Sequence, residues 1–397
     1  MSCSSDSCLR LPPLNTRSPS SQPKWMEAAA NSSAALEQFS LESNGCIAST
    51  PLYDGADNYL SRVLSKLGHL DLSGKLLDKN AVMEANGGYC DVFVGYISPG
   101  YIRHRLPLNT KDSEVKVAVK RLRFRLNRDK KLAKTLAREI AVWSKLNHPN
   151  ILPLLGYMFE KDYPSLISEW MKYGTVRDFL KNHPNCSIAY LASGIAAGLK
   201  YIHDRNIVHS DMKTDNILIG EYWQPVICDF GISRMLDSSQ SIFVSTTHDG
   251  QTKGSARWMA IELFVPDDGA EVKHTKETDI WAFGMTLYEM ITKQIPYAHL
   301  KRDIQVLSAV MKGDLPLFPR TRSKYLSSNS YWKIRSLCSS CWVKNPKERP
   351  TTNLVDISLS SLWIDELRTE SRNRHIEIRP RGAGGPNQGS EMVEIAV

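Results

Sequence analysis

No run of 18 or more apolar residues occurs in this 397-residue chain, so the length that a transmembrane helix needs is missing. The N-terminus lacks an apolar core after a basic start, and no secretory signal is expected. Cysteine is sparse, eight in all, too few for the disulfide framework of a small secreted domain. The single C-x-x-C, Cys338 to Cys341, cannot complete a four-ligand zinc site by itself; it falls on a stretch that reads as a helix with structural cysteines. A reducing, intracellular setting is the expectation, cytoplasmic or nuclear. No internal repeat is visible.

A strong charge bias is missing too, since the net charge is only +8. The charge is unevenly spread, however. Residues 116–138 hold ten Lys or Arg against one acid, Asp129. Interleaved exposed aromatics and a nucleic-acid motif are not expected there, so no nucleic-acid partner is expected. A solvated edge, or a docking patch for an acidic protein partner, accounts for it better. Hydrophobic content of 42% and charged content of 23% are those of an ordinary globular protein.

The length allows two or three domains, or a two-lobed enzyme with tails. Residues 1–56 are rich in Ser, Pro, Asn and Ala without a sustained period and are expected to be disordered. Residues 57–70 carry Leu60, Val63, Leu64 and Leu67 at helical spacing, with Gly68 as the stop. That helix either packs on the next domain or folds against a partner. The main domain is expected at 71–367, strand-rich with one helix (about 128–145) over 71–170 and helical over 171–367. Residues 279–291 are apolar nearly all round and predict a helix inside a large core. The tail, 368–397, lacks core formers and is expected to be disordered.

The chemistry gathers in His209-Ser210-Asp211-Met212-Lys213-Thr214-Asp215-Asn216 and in Asp229-Phe230-Gly231, which follows a short apolar strand. Phosphoryl transfer asks a protein for a base that orients the attacking hydroxyl, oxygen ligands for a metal, and cations on the developing charge. Asp211 supplies the base, Asn216 and Asp229 the ligands, and Lys213 a cation. Val117-Ala118-Val119-Lys120 reads as a strand whose alternation sets Ala118 and Lys120 on one face. Ala118 is small enough for an adenine ring to lie against, and Lys120 reaches for phosphates. In the next helix Leu132, Leu136, Glu139, Trp143 and Leu146 share a stripe, on which Glu139 is the one charge; it either leans out to solvent or pairs inward.

H-S-D-M-K-T-D-N followed by D-F-G resembles the catalytic loop and metal-binding motif of the eukaryotic protein kinases, with Ser210 where the family has Arg. Lys253 to Glu262, K-G-S-A-R-W-M-A-I-E, is similar to a run of the tyrosine-kinase-like group of Ser/Thr kinases, with Ile261 in place of Pro. The resemblance implies an α+β, bilobal kinase fold that uses ATP with Mg²⁺ (Mn²⁺ as the alternative). It implies a Lys120–Glu139 pair, a Glu262–Arg349 pair, and a helix starting at Asp279 that anchors the catalytic loop. Ala85 to Val92 stands where the phosphate-covering loop belongs, with Gly87, the neighbouring Gly88 and Val92 as nucleotide contacts. Glu169 and Met171 would bond adenine through their backbone, with Leu218 as the floor and Ser168 guarding the pocket behind. Lys213 favours Ser or Thr acceptors over Tyr. Cys90, in the loop over the phosphates, and Cys228 are expected to border the nucleotide, with Lys120 as the cation that favours a thiolate.

The function implied is transfer of the ATP γ-phosphoryl group to Ser or Thr of protein substrates, in intracellular signalling. A pseudokinase scaffold is the alternative suggested by the poor glycine loop and Ile261. A small-molecule phosphotransferase is disfavoured, because it would lack the 254–262 run. The missing Arg at 210 implies that phosphate on the 229–262 segment has no main anchor.

Overall fold

The computed structural model describes residues 58–377, with breaks at 87–89, 104, 106–112, 124–129, 161–162, 230–254, 266–271 and 320–325. The expected N-terminal tail, Gly87 and Gly88 therefore lie outside the described residues. So does most of the 229–262 segment.

The described residues start with helix α1 (Asn58–Lys66) and a 3₁₀ turn (Gly68–Leu70), where the Leu stripe and Gly68 placed a helix and its stop. Five strands follow: β1 (Leu76–Asn86), β2 (Cys90–Ile97), β3 (Val115–Leu122), β4 (Leu154–Glu160) and β5 (Tyr163–Glu169). They form one antiparallel sheet in the order β1-β2-β3-β5-β4. Helix α2 (Lys130–Trp143) crosses between β3 and β4, two residues shorter at each end than the periodicity predicts.

Alternation decides which side of β3 faces what. Val115, Val117 and Val119 are buried with Phe93, Ile97, Leu155 and Ile167 in a core of their own, while Ala118 and Lys120 look out half-buried on the opposite face. The register sets Lys120 across from Val92 and Ala118 across from Ser168. One face of the first lobe thus collects Val92, Ala118, Lys120 and Ser168.

The second lobe is helical: α3 (Val176–Asn182), α4 (Ile188–Asp204), α5 (Lys276–Thr292), α6 (Asp303–Lys312), α7 (Ser328–Cys341) and α8 (Thr352–Glu377). A two-stranded ribbon, β6 (Ile217–Ile219) with β7 (Pro225–Ile227), lies between α4 and α5 in sequence. Helix α5 is capped by Thr275, whose side chain accepts from Thr278 N, and every residue from Thr278 to Ile291 is buried. Gly284 makes this possible, because a Cβ there would stand 2.6 Å from Cys341 Cβ on α7. Cys338 and Cys341 are both fully buried on α7, as structural cysteines.

One boundary needs correction. The closing helix α8 continues to Glu377, ten residues past the expected end at 367. Residues 378–397 lie outside the described part.

Candidate active site

The ribbon and a buried carboxylate build the site. Asn150 fastens β7 to the first lobe: its side chain donates to Pro225 O at 2.8 Å, and its carbonyl accepts from Ile227 N at 2.9 Å. Strand β7 ends at Ile227, and Cys228 and Asp229 follow it directly. Asp279, 1% exposed at the start of α5, accepts from His209 N (2.7 Å), Ser210 N (2.8 Å) and His203 Nε2 (2.9 Å). A buried carboxylate is tolerable when its oxygens are filled in this way. The same bonds hold Ser210 at φ +68°, a left-handed conformation that costs a residue other than Gly about 1 kcal/mol or more.

His209 is the second clamp. Its Nε2 meets Cys228 O at 2.8 Å, and Asp211 N lies 3.3 Å from its Nδ1. A carbonyl can only accept, so Nε2 carries the proton and Nδ1 receives the Asp211 N–H. The catalytic loop and the strand before Asp229 are thereby tied through one imidazole.

On this frame Asp211, Lys213 and Asn216 converge. Lys213 Nζ donates to Asp211 Oδ2 at 2.7 Å and to Ser255 Oγ at 2.9 Å. Asn216 Nδ2 donates to Asp211 O and Oδ2, both at 2.7 Å. Burial pushes the Asp211 carboxyl up, but the Lys213 ammonium and these hydrogen bonds outweigh it and hold it below the usual value. Asp211 is therefore an acceptor-only carboxylate at neutral pH, as a positioned base requires. A small, partly open recess lies beside it, lined by Ser210, Asp211, Ser255, Trp258 and Met259 among others.

Lys120 reaches from β3 to Asp229, with Nζ 2.5 Å from Oδ1. Burial alone would lower the ammonium's pKa, and the Asp229 charge more than reverses this and raises it. The partner shown for Lys120 is thus Asp229. Glu139 sits half-buried on α2, next to the buried Leu136, Ile140 and Trp143.

The two residues expected to hold a metal carry oxygen donors that suit a hard cation. Asp229 offers a carboxylate, and Asn216, with its nitrogen committed to Asp211, keeps an amide oxygen. One carboxylate and one amide suit a cation that completes its shell with waters and substrate phosphates. Among the described residues no cluster of three His, Cys, Asp or Glu could cage a metal unaided.

The expected adenine contacts fall along the junction of the lobes. Val92, Ala118, Met171 and Leu218 are each half-buried, as the lining of an open cleft would be. Glu169 ends β5, and its carboxyl is pushed up by burial and by Glu221. The two thiols differ from expectation. Cys90 opens strand β2 opposite Leu122 and is buried, not held in a loop. Burial pushes its thiol up against the opposing pull of Lys120, and pushes Cys228 well above the ordinary value. Both are therefore held as protonated thiols at neutral pH.

Further along, Arg349 grips Glu262 through two bonds, Nη1 to Oε1 at 2.6 Å and Nη2 to Oε2 at 2.8 Å. The pair survives the Ile261 replacement, and Ile261 is itself 7% exposed in the core. Two contributors escape sequence reasoning. His203 lies on the buried face of α4 with no local mark of its role. Ser255 belongs to the 253–262 run, but its contact with Lys213 depends on a fold that joins positions 42 residues apart.

Comparison with known proteins agrees with this geometry. The family described as protein tyrosine and serine/threonine kinase matches residues 85–359. A probable serine/threonine-protein kinase of Dictyostelium discoideum, drkD, is 30% identical over 280 residues, 68% of this chain and 20% of its own. The Arabidopsis thaliana serine/threonine-protein kinase CTR1 is 29% identical over 54% of this chain and 25% of its own. The serine/threonine/tyrosine-protein kinase HT1 of the same plant is 26% identical over 61% of this chain and 59% of its own. The matched segment thus covers from a fifth to three fifths of these relatives' lengths. A catalytic loop clamped by Asp279, a lysine on β3 set against Asp229, and a match across most of the chain lead to one conclusion: this chain belongs to the protein tyrosine and serine/threonine kinase family.

Proposed function

We propose that the chain transfers the γ-phosphoryl group of ATP to Ser or Thr hydroxyls of proteins, with Mg²⁺ as the working cation, in an intracellular signalling role. The observation that supports it best is Lys213, which bridges the base Asp211 and Ser255 at 2.7 and 2.9 Å. Asp211 accepts the hydrogen bond of the incoming hydroxyl and aims it, while Lys213 lies where charge grows on the transferred group. The resemblance to kinases makes a lysine two residues after the base a mark of Ser or Thr acceptors, which supports that choice over Tyr. Asp229 and Asn216 would hold Mg²⁺, which supplies charge neutralisation on the phosphates. Lys120 would hold the phosphates and pair with Glu139. Gly87, Gly88, Val92, Ala118, Glu169, Met171 and Leu218 would hold the nucleotide. The basic 116–138 stretch would dock an acidic segment of a protein partner.

A scaffold without turnover is the second reading, favoured by the sequence of the 85–92 loop. Against it stand the carboxylate form of Asp211 and the intact Arg349–Glu262 pair. The test is a peptide library with fixed Ser, Thr or Tyr acceptors, incubated with ATP and Mg²⁺ and read by mass spectrometry. Phosphate on Ser and Thr peptides is expected. Transfer to Tyr alone would overturn the acceptor assignment, and nucleotide binding by thermal shift without transfer would favour the scaffold.

A further inference from the structure

Helix α1 lies ahead of residue 85, where the family match begins, yet it belongs to the same compact unit as the kinase domain. It packs directly against α2. Val63, Leu64 and Leu67 press on the core that contains Leu136, Ala137 and Ile140 of α2, and Leu70 just after them is fully buried there. The far side, with Arg62, Ser65 and Lys66, is exposed.

The segment is also stitched to the sheet. Tyr157 Oη on β4 donates to Leu64 O at 3.3 Å, and Leu72 N donates to Tyr157 O at 2.8 Å. Gly156 accommodates this passage, because a Cβ there would stand 2.5 Å from Leu70 O and 2.6 Å from the Leu72 side chain. A nine-residue helix is not stable alone in water, so α1 exists through this packing. What it packs on is the helix that carries Glu139.

We propose that α1 is a positioning element for phosphoryl transfer: by docking on α2 through Leu64 and Leu67, it sets the place of Glu139. This rests on the reading that Glu139 pairs with Lys120 in the working enzyme. Undocking α1 uncovers the flank of α2 on which it lies. Glu139 then drifts from Lys120, and transfer slows without loss of the catalytic loop. Leu64 and Leu67 touch no substrate, so their effect passes entirely through α2.

The experiment uses the full chain. Leu64→Asp with Leu67→Asp is compared with Leu64→Met with Leu67→Met, and with Lys66→Ala on the exposed face. Each is made with Glu139 present and with Glu139→Ala. Peptide phosphorylation gives kcat and KM for ATP at a temperature at least about 10 °C below each variant's Tm. Expected are a loss of tenfold or more in kcat/KM for the Asp pair, recovery with the Met pair, and no change for Lys66→Ala. In the Glu139→Ala background the Asp pair should cost less than twofold more. Full activity in the folded Asp pair, or an equal loss in both backgrounds, overturns the positioning role. If the Asp pair does not fold, Leu64→Ala with Leu67→Ala is read by the same criteria. Glu139→Ala at the normal rate overturns the pairing reading itself, whereas a slow Glu139→Ala beside a fully active Asp pair overturns only the role of α1.

Discussion

Glu262→Ala should be among the most damaging substitutions outside the catalytic loop. The Arg349 side chain is 0% exposed and Glu262 25%, and the two exchange a forked pair of bonds at 2.6 and 2.8 Å. Arg349 also donates to Val343 O at 3.0 Å and Glu277 O at 2.9 Å, and it stacks 4.9 Å over the Trp281 ring. Without Glu262 the guanidinium remains buried with carbonyls but no counter-charge. Removing one partner of a buried pair costs about 3–5 kcal/mol, which at about 2–4 °C per kcal/mol for a domain near this size corresponds to a fall in Tm of roughly 10 °C. Arg349→Ala should cost less, because Glu262 can turn to water. Arg349→Lys loses the fork and should fall between. Differential scanning fluorimetry of the three variants provides the measurement. If Glu262→Ala shifts Tm by less than about 2 °C, the pair contributes as little as an exposed one and the reasoning fails.

Three further outcomes follow from the charges and thiols. Asp211 has a folded pKa below its unfolded value, so the stability it contributes is present above about pH 4; it fades only as pH falls through the lower folded value. Peptide phosphorylation should therefore be flat in any Asp211-controlled term from pH 8 to pH 6, and an acid limb centred there that disappears in Asp211→Asn would contradict this. Cys90 and Cys228, both pushed up by burial, should react with iodoacetamide at pH 7.5 more slowly than free cysteine, and ATP should slow at least one further. Equal labelling of both peptides with and without nucleotide, read by mass spectrometry, would place them away from the pocket. Replacing Ser238, Ser239, Ser241, Ser245, Thr246, Thr247 and Thr252 with Ala should cost no more than about tenfold in rate, some 1.4 kcal/mol, because position 210 offers Ser and no Arg to a phosphate. A larger loss in the folded variant would show that the segment finds its anchor elsewhere.

Much of the site is legible in the sequence, because its residues lie in short local runs. Asp211, Lys213 and Asn216 share one loop, and their convergence needs only that loop's own turn. The faces of β3 follow from alternation, which buries Val117 and Val119 and leaves Lys120 on the open side. The Arg349–Glu262 pair, 87 residues apart, is reached only through the resemblance, since no local pattern joins the two. What periodicity cannot give is choice among partners. Lys120 meets Asp229 across 109 residues, a contact that no strand or helix stripe announces. Cys90 is misjudged for a similar reason. The glycines beside it suggest a loop, whereas its pairing with Leu122 belongs to the sheet. The overrun of α8 past 367 reflects a helix that continues after its core-facing residues, Val355, Leu359 and Leu362, have ended.

The account depends most on Asp211 as the base. Asp211→Asn keeps the shape of the side chain and an oxygen for Asn216 and Lys213, and it removes the charge that orients the hydroxyl. Peptide phosphorylation by the purified full chain, followed by mass spectrometry at saturating ATP and Mg²⁺, should fall by roughly 10²–10⁴-fold, with a cooperative fold and the ATP-induced thermal shift retained. Transfer at the unmodified rate from the Asp211→Asn protein would contradict it.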